Sequence, residues 1–202
     1  PMSILTDSLI LCGGLALLIG GGEWLVRGGS GLARSLGVSP LVVGLTIVSF
    51  GTSAPELAVN MGAAFRGATE LSFGNIVGSN IANIGPTLGL TANEYPLRVE
   101  SETLKRDDPR LMLIMIASLI MASDLIYDRT EGWLLLTGLA ALIIWMVRYG
   151  LRRGPDDPLA EEFAAEIPTN MPTGYAVLWL IVGLIILPIS SQFLVEGAIY
   201  IA

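Results

Sequence analysis

The chain alternates long apolar runs with short polar breaks. Six runs approach the roughly 20 mostly apolar residues that a helix needs to cross a hydrocarbon layer. They are Ile4–Gly22, Pro40–Ala64, Leu71–Thr91, Leu111–Tyr127, Trp133–Val147 and Thr173–Ser190. The first and last are expected to continue as helix beyond the hydrocarbon. The second run is interrupted in an informative way. In "VSFGTSAPELAVN" (Val48–Asn60), Ser49, Thr52/Ser53, Glu56 and Asn60 recur every three or four residues and so share one helix face. Pro55 lacks an N–H, which leaves the carbonyl of Gly51 without its helical donor. Free carbonyls at membrane depth are tolerated only where protein or a watery cavity covers them. The third run repeats the device. Asn75, Ser79, Asn83 and Thr87 form an i, i+4 ladder, Gly74/Gly78 and Gly85/Gly89 are two glycine pairs at the same four-residue interval, and Pro86 frees the carbonyl of Ala82. Glycines at that interval let another helix approach closely.

Composition agrees with the pattern. Of 202 residues, 52% are hydrophobic and 14% charged, which predicts an all-α integral membrane protein. With no histidine, a His-ligated metal or a His base is excluded. The single cysteine, Cys12, reads as a small packing residue. Nine of the eleven basic residues fall between spans one and two (Arg27, Arg34), between three and four (Arg98, Lys105, Arg106, Arg110) or after span five (Arg148, Arg152, Arg153). Only Arg66 and Arg129 lie on the other side. The excess of Lys and Arg on cytoplasmic loops then places the N-terminus outside a cell (inner) membrane crossed several times. The segment Arg152–Gly174 reads as a solvated connector, with a helical turn around Pro158–Glu166.

Chemistry enters through Glu56. An ionisable residue inside a span costs about 2.5–3.5 kcal/mol on insertion scales and marks function by default. Carbonyls, hydroxyls and one carboxylate on a single face are the ligands of a hard cation. A proline kink with serines bonding back to their own helix is the plainer alternative. Glu56 favours the cation site, and Ser79 and Asn83 on the next span are candidates for ligation or support of ligands.

"GTSAPE" at Gly51–Glu56, with "GNIVGSNIANIG" at Gly74–Gly85, resembles the first α-repeat of the cation/calcium exchanger superfamily, in particular its prokaryotic sodium/calcium exchangers. "GGEWLVRGGSGLA" and the number of spans also fit. The resemblance implies a ten-helix antiporter made of two inverted five-helix halves, with a cation site between two α-repeats at mid-membrane. It implies Glu56 as the principal carboxylate ligand. Thr52 and Ser53 would ligate through carbonyl and hydroxyl oxygens, Ser49 through its carbonyl, and Ser79 and Asn83 from the following helix. The transported ions would be calcium and sodium, with no resident cofactor and no nucleic-acid partner.

The chain carries one such motif. Yet "GEWLVRGGSGLA" (Gly22–Ala33) and "SQFLVEGAIYIA" (Ser191–Ala202) share Leu25/Leu194, Val26/Val195, Gly28/Gly197 and Ala33/Ala202 at a constant offset of 169. Five spans separate them, so the two copies cross in opposite directions, as in inverted-topology repeats. The expected organisation is a first repeat over residues 1–150 (α-repeat at about 40–91), a cytoplasmic connector at 151–172, and the first helix of a second half at 173–202. A dehydrated divalent cation calls for close to two negative charges, and Glu56 supplies one. The second is expected from a missing half, or from a second copy of the chain. Alternatives are a calcium/proton antiporter and a non-transporting membrane subunit or scaffold. An enzyme is not expected, because Ser53 has no base near it except Glu56.

The topology is testable. Arg106→Cys is expected to resist an impermeant thiol reagent in intact cells and to react once the membrane is opened. Labelling from outside would reverse the orientation.

Overall fold

The computed structural model describes residues 4–97, 105, 108–153, 158–168 and 171–201, and the described residues are almost wholly helical. Arg98 and Arg106 of the basic loop, Gly154–Asp157 and Thr169–Asn170 of the connector, and Ala202 of the terminal match lie outside them. Helix α1 runs from Ile4 to Ser35. Helix α2 (Pro40–Val43), a π-helical turn (Gly44–Val48) and α3 (Ser49–Thr52) form one rod. It bends by 41° into α4 (Ala54–Phe65). Then come α5 (Thr69–Ala82), a second π-helical turn (Asn83–Leu88) and α6 (Gly89–Glu94). Helices α7 (Asp108–Met121), α8 (Arg129–Arg152), α9 (Pro158–Glu166) and α10 (Thr173–Ile201) complete the chain.

Among the described residues, three helical segments are long and apolar enough to cross a membrane: Ser8–Ser35, Arg129–Arg152 and Thr173–Ile199. A fourth crossing results if the bent pair Pro40–Thr52 and Ala54–Phe65 is one span. The expected six is therefore not reached by that measure. Two reasons are physical. The π-helical turn around Pro86 divides the third run, and α7 is only 14 residues long before a 3₁₀ turn and left-handed Leu125 end it.

The chain packs as two units, residues 1–80 with 145–202, and residues 81–144. In the second unit no described residue is buried, and its helices touch mainly their neighbours in sequence. The first unit is built on α1 and α10, which run antiparallel and meet through glycines. A Cβ on Gly14 would lie 2.9 Å from the Leu194 nitrogen, and one on Gly183 2.6 Å from the Leu25 nitrogen. A Cβ on Gly197 would lie 3.1 Å from the Leu11 Cβ, and one on Gly28 would collide with the Leu180 nitrogen. These contacts come in pairs related by the offset of 169: Gly14–Leu194 maps onto Gly183–Leu25, and Gly28–Leu180 onto Gly197–Leu11. Trp24 stacks on Trp179 at 5.5 Å beside the same seam. Leu18, Leu25, Ala54, Val59, Leu187 and Val195 form a small apolar core where α4 joins the pair. Arg66, at the end of α4, closes that joint with a 2.7 Å ion pair to Glu196 of α10.

Two expectations need correction. The connector is helical at Pro158–Glu166, but its apolar side is docked rather than solvated. Phe163 packs where any side chain on Gly44 would stand, and Ile167 is buried against Ala33 and Val43. An aromatic ring removed from water outweighs the preference of the flanking acidic residues for solvent. Cys12 is exposed instead of packed. Its neighbour Gly13 also meets open space, so this face of α1 lies away from α10.

Adjacent glycines therefore predict opposite outcomes. Gly13→Ala gains helix propensity, about 1 kcal/mol, with nothing to collide with. Gly14→Ala drives a methyl into α10 and is expected to cost about 1–3 kcal/mol. Thermal unfolding followed by size-exclusion fluorescence reads the difference, and equal behaviour would refute the glycine seam.

Candidate functional site

The site is organised by a helix break. Ser53 leaves helical geometry at φ −96°, ψ 0°, in the sparsely allowed region where turn and active-site residues are found. Its N–H bonds the Phe50 carbonyl at 3.2 Å, which ends α3. Helix α4 then restarts with Pro55 in its first turn, a position where a missing N–H costs nothing. The break is held from outside by α1. A Cβ on Gly22 would lie 2.9 Å from the Pro55 ring, and one on Gly51 would collide with Val26. Only glycines let the two backbones approach this closely.

Glu56 follows the proline, in the first turn of α4, where the partial positive charge of a helix N-terminus favours a carboxylate. One oxygen, Oε2, is enclosed and has no hydrogen-bond partner. A buried acceptor without a donor is costly, and a bound cation relieves that cost. Glu56 lines a cavity of about 710 Å³ together with Thr52, Asn75 and Ser79. The Thr52 hydroxyl donates to the Ser49 carbonyl at 3.0 Å, and the Ser79 hydroxyl to the Ile76 carbonyl at 3.2 Å. Each bond occupies the hydroxyl proton and leaves oxygen lone pairs for a cation. Asn75 Nδ2 donates to Asn60 Oδ1 at 2.9 Å and reaches the Glu56 carbonyl at 3.5 Å, which ties α5 to α4.

The candidate residues are thus not all gathered. Thr52, Glu56 and Ser79 line the cavity. Ser49 and Ser53 stand at the break without lining it. The Ser49 hydroxyl instead donates to the Gly44 carbonyl at 3.0 Å, across the π-helical turn. Asn83 is exposed, in the π-helical turn of the second unit. The wider turn starts at Asn83, so it shifts the face of Thr87, the next member of the i, i+4 ladder, and not that of Asn83 itself.

Two lining residues were not singled out by the sequence: Glu23 and Arg27, both on α1. Arg27 Nη2 meets Glu23 Oε1 at 2.5 Å. The sequence places Arg27 between spans, but α1 continues to Ser35 and keeps both residues within a candidate span. The available signal was the pair itself, a glutamate four residues before an arginine, which are neighbours on a helix. Among the described residues no group of three or more His, Cys, Asp or Glu gathers as for a resident metal.

A family model described as sodium/calcium exchanger protein matches residues 7–150. The chain is 42% identical over 199 residues to the "Putative antiporter CaxA" of Alkalimonas amylolytica, covering 98% of this chain and 62% of the relative. It is 45% identical over 104 residues to "Sodium/calcium exchanger MaX1" of Methanosarcina acetivorans, covering 52% of this chain and 30% of the relative. Among solved structures it is similar to the sodium-calcium exchanger NCX_Mj soaked with Na+ and Sr2+, at 31% identity and a TM-score of 0.59, covering 99% of this chain and 63% of that one. The chain spans less than two thirds of the length of these relatives.

The Asn60–Asn75 bond has a measurable worth. A double-mutant cycle with Asn60→Ala and Asn75→Ala in mixed micelles is expected to give a coupling of about 0.6 kcal/mol, within the range of interhelical hydrogen bonds in membranes. Strict additivity would remove the bond.

Proposed function

The chain belongs to the sodium/calcium exchanger family, and from that premise we propose that it works as one half of a secondary cation antiporter. Calcium or another divalent cation leaves the cytoplasm as sodium enters. The observation that carries this reading is the unpartnered Glu56 oxygen, enclosed at a helix break and lining a cavity with two hydroxyls. Broken helices at mid-membrane, whose free backbone groups face ions, are the recurrent design of such transporters. Glu56 acts as the principal carboxylate ligand. Thr52, Ser53 and Ser49 add neutral oxygens from the break, and Ser79 and Asn83 add theirs from the following helix. The opposite wall, with its own carboxylate, comes from a second half in inverted orientation, in the same gene product or in a second copy. The offset-related contacts between α1 and α10 fit that inverted arrangement. The N-terminus lies outside, and the basic loops lie in the cytoplasm. No covalent step is involved.

The test is Glu56→Gln in the full-length gene product. Calcium uptake into inside-out vesicles under an outward sodium gradient should fall to background, while the amount of folded protein stays near wild type. Uptake at the wild-type rate would remove Glu56 from the mechanism. Driving the same vesicles with a pH gradient separates sodium coupling from proton coupling.

A further inference from the structure

The geometry points to Glu23 and Arg27 as an internal ion pair that sets the charge of the cation cavity, and with it the preference for divalent over monovalent ions. This rests on the antiporter reading above. The two carboxylates of the cavity flank one contact. Gly22 packs on Pro55, and the next residue on each strand is a glutamate: Glu23 on α1 and Glu56 on α4. Arg27 lies one helical turn along α1, lines the same cavity and holds Glu23. Of these charges Glu23 and Arg27 cancel, so the wall carries the single net negative charge of Glu56.

The pair is also made to open. Its side chains are 58% and 54% exposed, and a pair so exposed is held only weakly where water reaches it. Two separated charges facing lipid would be costly, whereas a matched pair beside a watery cavity is not. A cation entering the cavity competes with Arg27 for Glu23. Arg27 thus serves as a tethered counter-ion that a transported cation displaces and that returns when the cation leaves. A cavity of about 710 Å³ is roughly 11 Å across, so a unit change on its wall alters divalent affinity more than tenfold at an effective dielectric constant of about 20–40.

Charge arithmetic gives a signature that a packing role does not. Arg27→Gln exposes a second carboxylate. It should lower the calcium KM more than tenfold and slow turnover, because a tightly held ion leaves slowly. Glu23→Gln leaves Arg27 facing Glu56 and should raise the calcium KM more than tenfold. The double variant Glu23→Gln/Arg27→Gln restores the net charge, and its KM should return to within about threefold of wild type. The logarithmic shift for sodium should be half that for calcium in each single variant, because the Coulomb term scales with ion charge. The measurement is calcium and sodium flux in vesicles of the full-length gene product, with cation-induced thermal stabilisation of the purified protein as a second readout. Single variants that leave KM unmoved, or a double variant at least as impaired as the worse single one, overturn the ion-pair role while the antiporter stands. A folded wild type that neither binds nor carries calcium, strontium or sodium overturns both.

Discussion

The site depends on the close approach of α1 to the break before Pro55. A break inside a membrane helix leaves backbone groups at the two helix ends without intrahelical partners, and lipid offers none. Gly22 and Gly51 allow α1 to cover that point at backbone distance, with the Pro55 ring against one and Val26 against the other. The same contact sets Glu23 and Glu56 on the wall of one cavity. Replace either glycine with a larger residue, and the cover lifts, the break faces lipid, and the two carboxylates separate. Backbone strain, ion chemistry and helix packing are therefore one constraint at this position.

Much of the site was legible in the sequence because membrane helices forbid casual polarity. A glutamate one residue after a proline, amid hydroxyls at helical spacing, has few explanations in an apolar run. The structure puts Thr52, Glu56 and Ser79 on one cavity and ends α3 beside Ser53. What stayed hidden has three physical sources. The apolar run ends at Gly22 although the helix is expected to continue, so the sequence puts Glu23 and Arg27 past the span, whereas the candidate span reaches Ser35. Periodicity was assumed to be α-helical throughout, whereas π-helical turns at Gly44–Val48 and Asn83–Leu88 shift the faces that follow. The connector was judged by its charges, although Phe163 and Ile167 were enough to dock it.

Glycine shows the limit of pattern reading most clearly. The spacing of Gly74 and Gly78 on α5 is the spacing of a helix-packing face, yet a Cβ on either would meet nothing within 4 Å. On α1, Gly14, Gly21 and Gly28 recur every seven residues, and there the space a side chain would take is filled by α10. A small residue states only that close approach is permitted. The neighbour decides whether the permission is used, and its identity is written in another part of the chain.

The distribution of contacts also bears on how a cation site could change access. Helices α1 and α10 are joined along their lengths by the glycine seam and by the Trp24–Trp179 stack. Their attachment to the broken helix is more local. It consists of Gly22 on Pro55, Val26 on Gly51, a small apolar core, Gly62 beside Ser191, and the exposed pair of Arg66 with Glu196. Interhelical contacts in a membrane gain little from the hydrophobic effect, since lipid tails are as apolar as leucine, so close packing sets which helices move together. By that measure α1 and α10 are the most tightly joined pair of the first unit, and the broken helix is attached to that pair at fewer points. In the proposed antiporter the cavity lies where that pair meets the broken helix, with Glu23 and Arg27 carried by α1 and Glu56 by α4. Any shift of α1 against α4 would move the ion pair past the carboxylate and change what competes for the cation. In that proposal the elements that would bind the ion are the same elements whose relative movement would expose it.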